Sequence, residues 1–388
     1  MTPNRRPRSA SNDRELRLWK VGRALTLAFA AAVLVASGVF YGLYRMLNVQ
    51  GIGSTAKLDA ATLFDLVKLS FGVVAGSGAL VALVVAYRRQ RVDEAGAHRE
   101  ATRLHTERFS QAVDKLGSDS PAVRLGGVHA LAGLADDAPT QDLRQTCIDV
   151  LCGYLQLPFT PDPGEDPAHQ EEHHRYLAFR KVRHTILRLI GDHYRRPQGT
   201  HRSWQGSDLD LTGVTIDSDM DFAGAVFTGG TMDFGAATFT GGRVDFRGAR
   251  FSSGTVKFHG AVFSGGRMDF RTAMFTGGTV DFGAARFTGG TVDFRSAMFT
   301  GGTVDFGAAR FTGGTVDFRF ARFTGGRVNL GSARFTGGTV DFHGATFTGG
   351  MVNFGFARGS APRGLFAAAG IPVPATVVIP SAWLPPVP

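Results

Sequence analysis

Phenylalanine recurs at every twelfth position along the C-terminal part of this chain, and this period restricts the fold more than any other feature. Two series run side by side, offset by five and then seven positions, with Leu330 replacing one phenylalanine. Two glycines and a Thr-Val-Asp-Phe strand signal in each unit are incompatible with a helix. Such units bury their aromatic rings only against the units above and below them, which predicts a solenoid. The first series occupies 222 to 354 and the second 227 to 347.

A slower alternation lies beneath the 12-residue period. The residue after the first-series phenylalanine is Gly283, Gly307 and Gly331 in every second unit, and arginine or histidine in the units between. Met274 and Met298 alternate in the same way with Arg286 and Arg310. We therefore predict a 24-residue coil with four sides, built from two 12-residue half-coils. The alternative is a 12-residue coil in a chain that grew by duplication of a 24-residue segment.

The outward positions of these coils are the candidate recognition sites. Side chains two apart share a face in extended structure, so valine and phenylalanine point inward and the intervening aspartate points outward. The arginines that follow the phenylalanine are expected to form a second outward column, and they alternate with the aspartates along the chain. The two candidate columns are Arg247, Arg271, Arg295 and Arg319, and Asp245, Asp269, Asp293 and Asp317.

The unit Val-Asp-Phe-x-x, followed by Ala-x-Phe-Thr-Gly and Gly-Thr, resembles the pentapeptide-repeat family, whose units read A-[DN]-[LF]-x-x. The resemblance covers residues 209–358 and implies a right-handed, quadrilateral β-helix with the alanine and phenylalanine positions inside. The extra Gly-Thr departs from the family pattern, because it lengthens two five-residue units to a total of 12 residues.

Two uncharged stretches near the N-terminus, residues 24–44 and 69–87, have the length of membrane-spanning helices. Arginines and lysines flank the pair on its outer sides, which predicts a hairpin in the plasma (inner) membrane with both termini cytoplasmic. Residues 1–23 are then a basic cytoplasmic tail and 24–87 a two-span transmembrane hairpin. Lipid contact through both helices is expected, and Gly72 and Gly76 allow span two to pack on span one or on a second copy. Pairing of two copies through the solenoid end is a further expectation.

Residues 88–200 have apolar residues at helical spacing and predict a small cytoplasmic α-helical module. Cys147 and Cys152 lie on the apolar face of one of its helices, which favours reduced core cysteines. Spanning helices, helical module and repeat together resemble membrane-anchored pentapeptide-repeat proteins of actinobacteria. The Pro-rich segment 359–388 predicts either a cap on the last coil or a tail that binds a partner's aromatic groove.

One segment has the spacing of a catalytic motif. His169, Glu172 and His173 match the H-x-x-E-H pattern of zinc peptidases, but they follow a Pro/Asp/Glu-rich loop and lack an evident third ligand. The TGG sequences are not followed by GK[ST], so they do not predict a nucleotide site. We expect no cofactor and no enzymatic activity, with a zinc-dependent hydrolase as the less favoured alternative.

The predicted function is a membrane-anchored protein-binding or scaffolding module with an unidentified protein partner. The net charge of +9 suits an anionic membrane as well as nucleic acid. Residues 209–358 contain 12 Asp and no Glu against 13 Arg and one Lys, so the repeat itself is close to neutral. Nucleic-acid binding is therefore not expected. A DNA-mimic inhibitor or protector of topoisomerases, which needs an acidic face, is the remaining alternative.

Overall fold

The structure is a computed structural model. It describes residues 29–31, 33–35, 37, 38, 40–42, 45, 60–159, 162–370 and 372–384. Its contacts divide the chain into two compact units, Met1–Glu100 and Ala101–Pro388, which are considered separately below.

The helices precede the repeat, apart from one short helix that follows it. Pro121 occupies the first turn of the second helix, where its missing N–H costs nothing. Thr140 caps the third, because its Oγ1 accepts from the Leu143 N–H at 3.3 Å. The helices are α1 (Ala60–Leu116), α2 (Pro121–Asp136), α3 (Gln141–Gln156), α4 (Gln170–Tyr194) and α5 (Leu365–Ala369), with 3₁₀ turns at Pro167–His169 and Ser381–Trp383.

The end of α1 packs with α2, α3 and α4 around a small apolar core. Leu131, Ile148 and Ile186 are fully buried within it. Cys147 and Cys152 are free thiols in this core, and burial raises their pKa values to about 11 and about 12. These thiols are therefore protonated and unreactive at neutral pH, as expected for core cysteines.

The prediction of a two-helix transmembrane hairpin is wrong. In the part of the chain that the structure describes, no helix combines the length and apolar character needed to cross a membrane. The same finding contradicts the predicted multi-pass location in the plasma (inner) membrane. It also removes the support for lipid contact through two helices.

Residues 69–87, the second proposed span, form part of the 57-residue helix α1. Gly72, Gly76 and Gly78 dilute the apolar residues of this segment, and the same helix continues directly into Arg88 and Arg89. Glycine adds little apolar surface, so an uncharged stretch of sequence can suggest more apolar helix surface than its side chains provide. In the first proposed span, residues 24–28, 32, 36, 39, 43 and 44 lie outside the described residues.

The repeat forms a β-solenoid of about seven turns, in which each turn adds one short strand to each of four faces. Neighbouring strands on every face are parallel. Face A contains β1 (Leu209–Asp210), β5 (Thr231–Asp233), β9 (Thr255–Lys257), β13 (Thr279–Asp281) and β17 (Thr303–Asp305). Face B contains β2 (Thr215–Ile216), β6 (Thr238–Phe239), β10 (Val262–Phe263), β14 (Arg286–Phe287), β18 (Arg310–Phe311), β21 (Arg334–Phe335) and β24 (Arg358–Gly359).

The other two faces complete each turn. Face C contains β3 (Met220–Asp221), β7 (Arg243–Asp245), β11 (Arg267–Asp269), β15 (Thr291–Asp293), β19 (Thr315–Asp317) and β22 (Thr339–Asp341). Face D contains β4 (Val226–Phe227), β8 (Arg250–Phe251), β12 (Met274–Phe275) and β16 (Met298–Phe299). Near the C-terminal end, β20 (Arg322–Asn329) and β23 (Thr346–Asn353) run continuously from face D onto face A, where β25 (Val377–Val378) follows.

The strand register confirms the 24-residue coil. Asp281 pairs with Asp305, and the Ala284 N–H donates to the Gly307 carbonyl at 2.8 Å. Glycine therefore lies over glycine, whereas a 12-residue coil would have placed it against Arg295. In the first turn the connection from face B to face C is one residue shorter, because Thr215 pairs with Thr238 but Met220 pairs with Val244.

A complete turn contributes up to four phenylalanines, and these stack in four columns through the solenoid, with Leu211, Ile216 and Leu330 replacing three of them. Phe270 and Phe294, for example, lie 4.7 Å apart between ring centroids and are inclined by only 4°. Rings on opposite columns meet edge to face, as Phe282 and Phe294 do at 6.1 Å and 83°. The coil rise fixes the stacking distance, and burial of each ring contributes roughly 1.5–3 kcal/mol.

The glycine pairs form the corners at which one coil passes close over the next. Gly302 has a φ of +68°, and a Cβ there would lie 2.5 Å from the Gly277 carbonyl oxygen. Only glycine fits both the left-handed backbone and this contact. The TGG spacing therefore sets the corner between successive faces.

Both ends of the solenoid are covered within the second unit. Tyr194 of α4 packs on Phe222 and Phe227 at the first turn, with ring centroids 6.0 Å away in each case. At the other end, Trp383 meets Phe354 at 5.8 Å, and its Nε1–H donates to the Gly359 carbonyl at 2.7 Å. The described part of the segment after residue 358 thus packs on the last coil.

Candidate interaction faces of the solenoid

Face C carries the columns that the sequence singled out, and its aspartates are buried. The side chains of Asp269 and Asp293 are 0% and 2% exposed. Arg271 Nη2 lies 2.8 Å from Asp269 Oδ2, and Arg295 Nη2 lies 2.7 Å from Asp293 Oδ2. Each arginine therefore folds back over the carboxylate two residues before it.

Arginines of neighbouring coils reach the same carboxylates. Arg243 Nη2 lies 2.6 Å from Asp269 Oδ2, although 26 residues separate them. Arg267 makes the equivalent contact with Asp293 at 2.6 Å. Asp269 and Asp293 are thus each held by arginines of two coils and link those coils.

The turn geometry explains why aspartate occupies these positions. Asp269 Oδ1 also accepts the backbone N–H of Arg271 at 3.1 Å, which closes the corner after the strand. Burial alone would raise the pKa of Asp269, but the hydrogen bonds from the Arg271 side chain and backbone outweigh it and hold the pKa below its usual range. The carboxylate therefore stays ionised at neutral pH.

The structure places all eight proposed residues on face C, where the aspartates are buried and the arginines lie over them. Asp245 and Asp317 are buried like the other two aspartates. Arg247 and Arg319 keep 47% and 43% of their side-chain surface exposed above them. A partner that approaches face C would therefore meet half-exposed arginines whose charge is already balanced from below.

On face A the aspartate closes the corner after the strand in the same way, but glycine replaces the arginine that follows the phenylalanine on face C. Asp281 and Asp305 accept the N–H groups of Gly283 and Gly307, each at 2.6 Å. Asn329 replaces aspartate one turn later and donates its amide to Asp305 at 2.9 Å. The corner thus requires an acceptor at this position, and a carboxylate is only one way to supply it.

Face B carries a column of arginines that sequence reasoning noticed as part of an alternation but did not propose as a site. These side chains are exposed, lie directly over one another in the strand register, and have no salt bridge or side-chain hydrogen bond among the described residues. Successive strands lie ~4.8 Å apart, so the column extends for roughly 14 Å. The recurrence of Ala-Arg-Phe every 24 residues, at 285–287, 309–311 and 333–335, was the signal that could have identified it. Its members are Arg286, Arg310, Arg334 and Arg358.

The zinc-type motif lies at the start of α4. His173 Nδ1 is 2.7 Å from Asp162 Oδ1, and Glu172 is exposed. In the described residues, no three His, Cys, Asp or Glu side chains are grouped so that they could hold a metal ion. The geometry gives the hydrolase alternative no support.

No model of a known protein family, no curated protein and no solved structure matches this chain.

Proposed function

We propose that this chain is a non-catalytic module of the pentapeptide-repeat type that binds an acidic protein partner along face B of its β-solenoid. The observation that carries the proposal is the column of four exposed arginines that form no salt bridge with any described residue. Like charges stacked directly over one another are unfavourable in a ladder. A partner that supplies carboxylates would remove this cost and gain four charge-assisted contacts.

The chemistry of face B favours protein over nucleic acid. The residues that point outward before the phenylalanines are threonine, valine and arginine, for example Thr238, Val262 and Arg286. No aromatic side chain alternates with the arginines along this column, whereas single-stranded nucleic-acid sites normally provide a series of rings on which bases stack. The exposed Phe356 lies only at the end of the column, two residues before Arg358. Four cations in a straight line of roughly 14 Å also match an extended acidic segment better than the curved phosphate backbone of a duplex.

A DNA-mimic function has less support. That mechanism needs a continuous acidic surface, and the carboxylates of face C lie buried beneath arginines. The carboxylates of face A give way to Asn329 and Asn353 toward the C-terminal end. Neither face offers the regular exposed negative charge that imitation of a phosphate backbone requires.

The test uses the full-length chain and a labelled peptide with glutamate at every second residue, followed by fluorescence anisotropy. The double variant Arg310→Ser/Arg334→Ser should weaken binding about tenfold, equivalent to ~1.4 kcal/mol. Its matched control is Arg322→Ser/Arg327→Ser, which removes two exposed arginines outside the column and makes the same change in net charge. The control should change affinity less than about threefold, because rim charges act weakly.

Two outcomes would overturn the proposal. If both double variants weaken binding equally, the peptide responds only to net charge and face B is not a site. If a single-stranded or duplex oligonucleotide of similar length binds more tightly than the peptide, and the face B variant abolishes that binding, the partner is a nucleic acid.

A further inference from the structure

The helical module contains a cavity of about 470 Å³ at the junction of α2, α3, α4 and the loop before α4. Its volume falls in the range of small-molecule sites. Phe159, Tyr176 and Phe179 form much of its wall, and the rings of Phe159 and Tyr176 lie 5.2 Å apart. Three arginines also line it, namely Arg124, Arg175 and Arg183.

Arg183 is the unusual member of this lining. Its side chain is buried, with 8% of the residue exposed, and burial lowers the pKa of its guanidinium. No carboxylate of the described residues lies within salt-bridge distance of it. Nη1 donates to the Leu155 carbonyl at 2.8 Å, and the guanidinium lies 4.9 Å from the centroid of the Phe159 ring. A buried cation without an anion is costly in a folded protein.

Of the neighbouring acidic side chains, Glu172 lines the rim of the cavity and is exposed, whereas Asp217 is held by other partners. Asp217 accepts from Arg180 Nε at 2.7 Å and faces His184 Nε2 at 2.9 Å. Burial would raise the pKa of Asp217, but these two hydrogen bonds hold it well below its usual range. Asp217 therefore acts on Arg183 only at longer range.

Arg124 adds a second cation to the same cavity. Its guanidinium lies over the Phe179 ring, 4.5 Å from the centroid, and donates to the Tyr154 hydroxyl at 3.0 Å. The stacked ring and the hydroxyl fix the orientation of this side chain. Arg175, at the rim, is exposed and paired with Glu171 at 3.2 Å.

We propose that this cavity binds a small organic anion that joins a planar aromatic body to a carboxylate or phosphate. The anionic group would lie against Arg183 and Arg124, where planar guanidinium groups suit carboxylate and phosphate oxygens. The body would pack among Phe159, Tyr176 and Phe179. The site lies apart from face B, so it neither depends on the proposed function nor is affected by face B variants.

The competing explanation is that Arg183 only satisfies the last turn of α3. Leu155 lies in that turn, where carbonyls lack helical partners, and a single guanidinium donor covers one of them. This role uses one of five donors and gives no reason for the aromatic cavity beside the others.

The experiment measures binding of phenyl phosphate and benzoate to the full-length chain by calorimetry. Inorganic phosphate and acetate serve as anions without a ring, and benzyl alcohol as a ring without charge. At least one aromatic anion should bind about tenfold more tightly than its ring-free counterpart and than benzyl alcohol. Arg183→Met should weaken that binding about tenfold, while the thermal midpoint of the unliganded chain stays unchanged or rises, because a buried cation has been removed.

Two further variants keep the result interpretable. Arg124→Met should weaken binding severalfold, and Arg175→Met, which changes the same charge at the rim, should have little effect. If Arg183→Met fails to fold, the comparison of Arg124→Met with Arg175→Met decides the question. The proposal fails if neither aromatic anion binds the wild type saturably, or if binding is equal in all foldable variants.

Discussion

Faces B and C of the solenoid each present arginine in register along the coil, yet only the arginines of face C are engaged. On face C, Arg271 and Arg295 cover buried aspartates at 2.8 and 2.7 Å. On face B, Arg286 and Arg310 lie over each other and are exposed, and neither forms a salt bridge with a carboxylate of the described residues. The same residue type therefore stabilises one face and leaves the other open to a partner.

The two faces differ because arginine occupies a different position relative to the corner that ends each strand. On face C it follows Asp-Phe, so its backbone N–H is already held by the aspartate and its side chain folds back easily. On face B it precedes phenylalanine inside the strand, and its neighbours along the ladder are other arginines. Composition alone does not distinguish the faces, whereas the position within the coil does.

The largest expected effect comes from removal of a buried carboxylate on face C. Asp293→Ala removes the nearest carboxylate of Arg267 and Arg295 and leaves the corner N–H without its acceptor, so we expect the free energy of unfolding to fall by about 2–4 kcal/mol. Only the longer contacts of these arginines, to Asp269 at 3.6 Å and Asp317 at 3.5 Å, would remain. Urea denaturation followed by circular dichroism measures the loss. Asp293→Asn should cost less, because an amide still closes the corner, as Asn329 does on face A. A cost for Asp293→Ala no greater than that of Arg310→Ser would erase the contrast between the faces.

Acid should weaken face C before it affects face B. The folded-state pKa values of Asp269 and Asp341 lie below the ordinary value near 3.9, so these groups stabilise the fold above that pH. Their contribution disappears as the pH falls through the folded-state values. Unfolding free energies measured between pH 6 and acid should therefore decline below about pH 4. Asp269→Asn should flatten this decline, and an unchanged profile would show that the carboxylate is not coupled to folding.

A charge reversal on face B should give a smaller change of opposite sign. Arg310→Glu places a carboxylate between Arg286 and Arg334, which replaces two repulsive neighbours with attractive ones. We expect the unfolding free energy to rise by roughly 0.2–1 kcal/mol at low salt and the gain to shrink at high salt. Arg310→Gln should produce about half of this rise in unfolding free energy, because it removes the repulsion without adding an attraction. A loss of stability with Arg310→Glu would mean that the column is not under repulsion.

The smallest effect is expected for single neutral substitutions on face B. Arg334→Ser removes an exposed side chain that has no salt bridge or side-chain hydrogen bond among the described residues, so the unfolding free energy should stay within about 0.5 kcal/mol of the wild type. Thermal melting of the full-length chain measures it. A shift as large as that of Asp293→Ala would reveal a structural role for this arginine that its geometry does not explain.

Much of the fold could be predicted because its signals are local and repeated. The 12-residue phenylalanine period predicted the stacked core, and the Gly283, Gly307 and Gly331 alternation predicted the 24-residue coil. The transmembrane hairpin could not be judged from composition alone. The apolar sequence of residues 69–87 does not by itself show that these residues form one part of a 57-residue helix that continues through Arg88.

The candidate site was predicted only in part, because the fate of a polar side chain depends on neighbours far away in sequence. Strand alternation correctly excludes Asp269 from the phenylalanine core, but Arg243 and Arg271 cover it from above. The cavity beside Arg183 depends on residues from three helices and a loop, and no single stretch of sequence contains its pattern.

The sequence by itself determined the repeat, the buried phenylalanine columns and the length of the coil, because period and strand alternation are properties of consecutive residues. The tertiary structure decided which charges remain exposed. Asp269 and Asp293 become buried only when arginines from their own and adjacent coils close over them, and the arginines of face B stay open because no carboxylate of the described residues is brought within their reach. Charge pairing acts between coils over a few ångströms, and only the stacking of the coils brings those groups together.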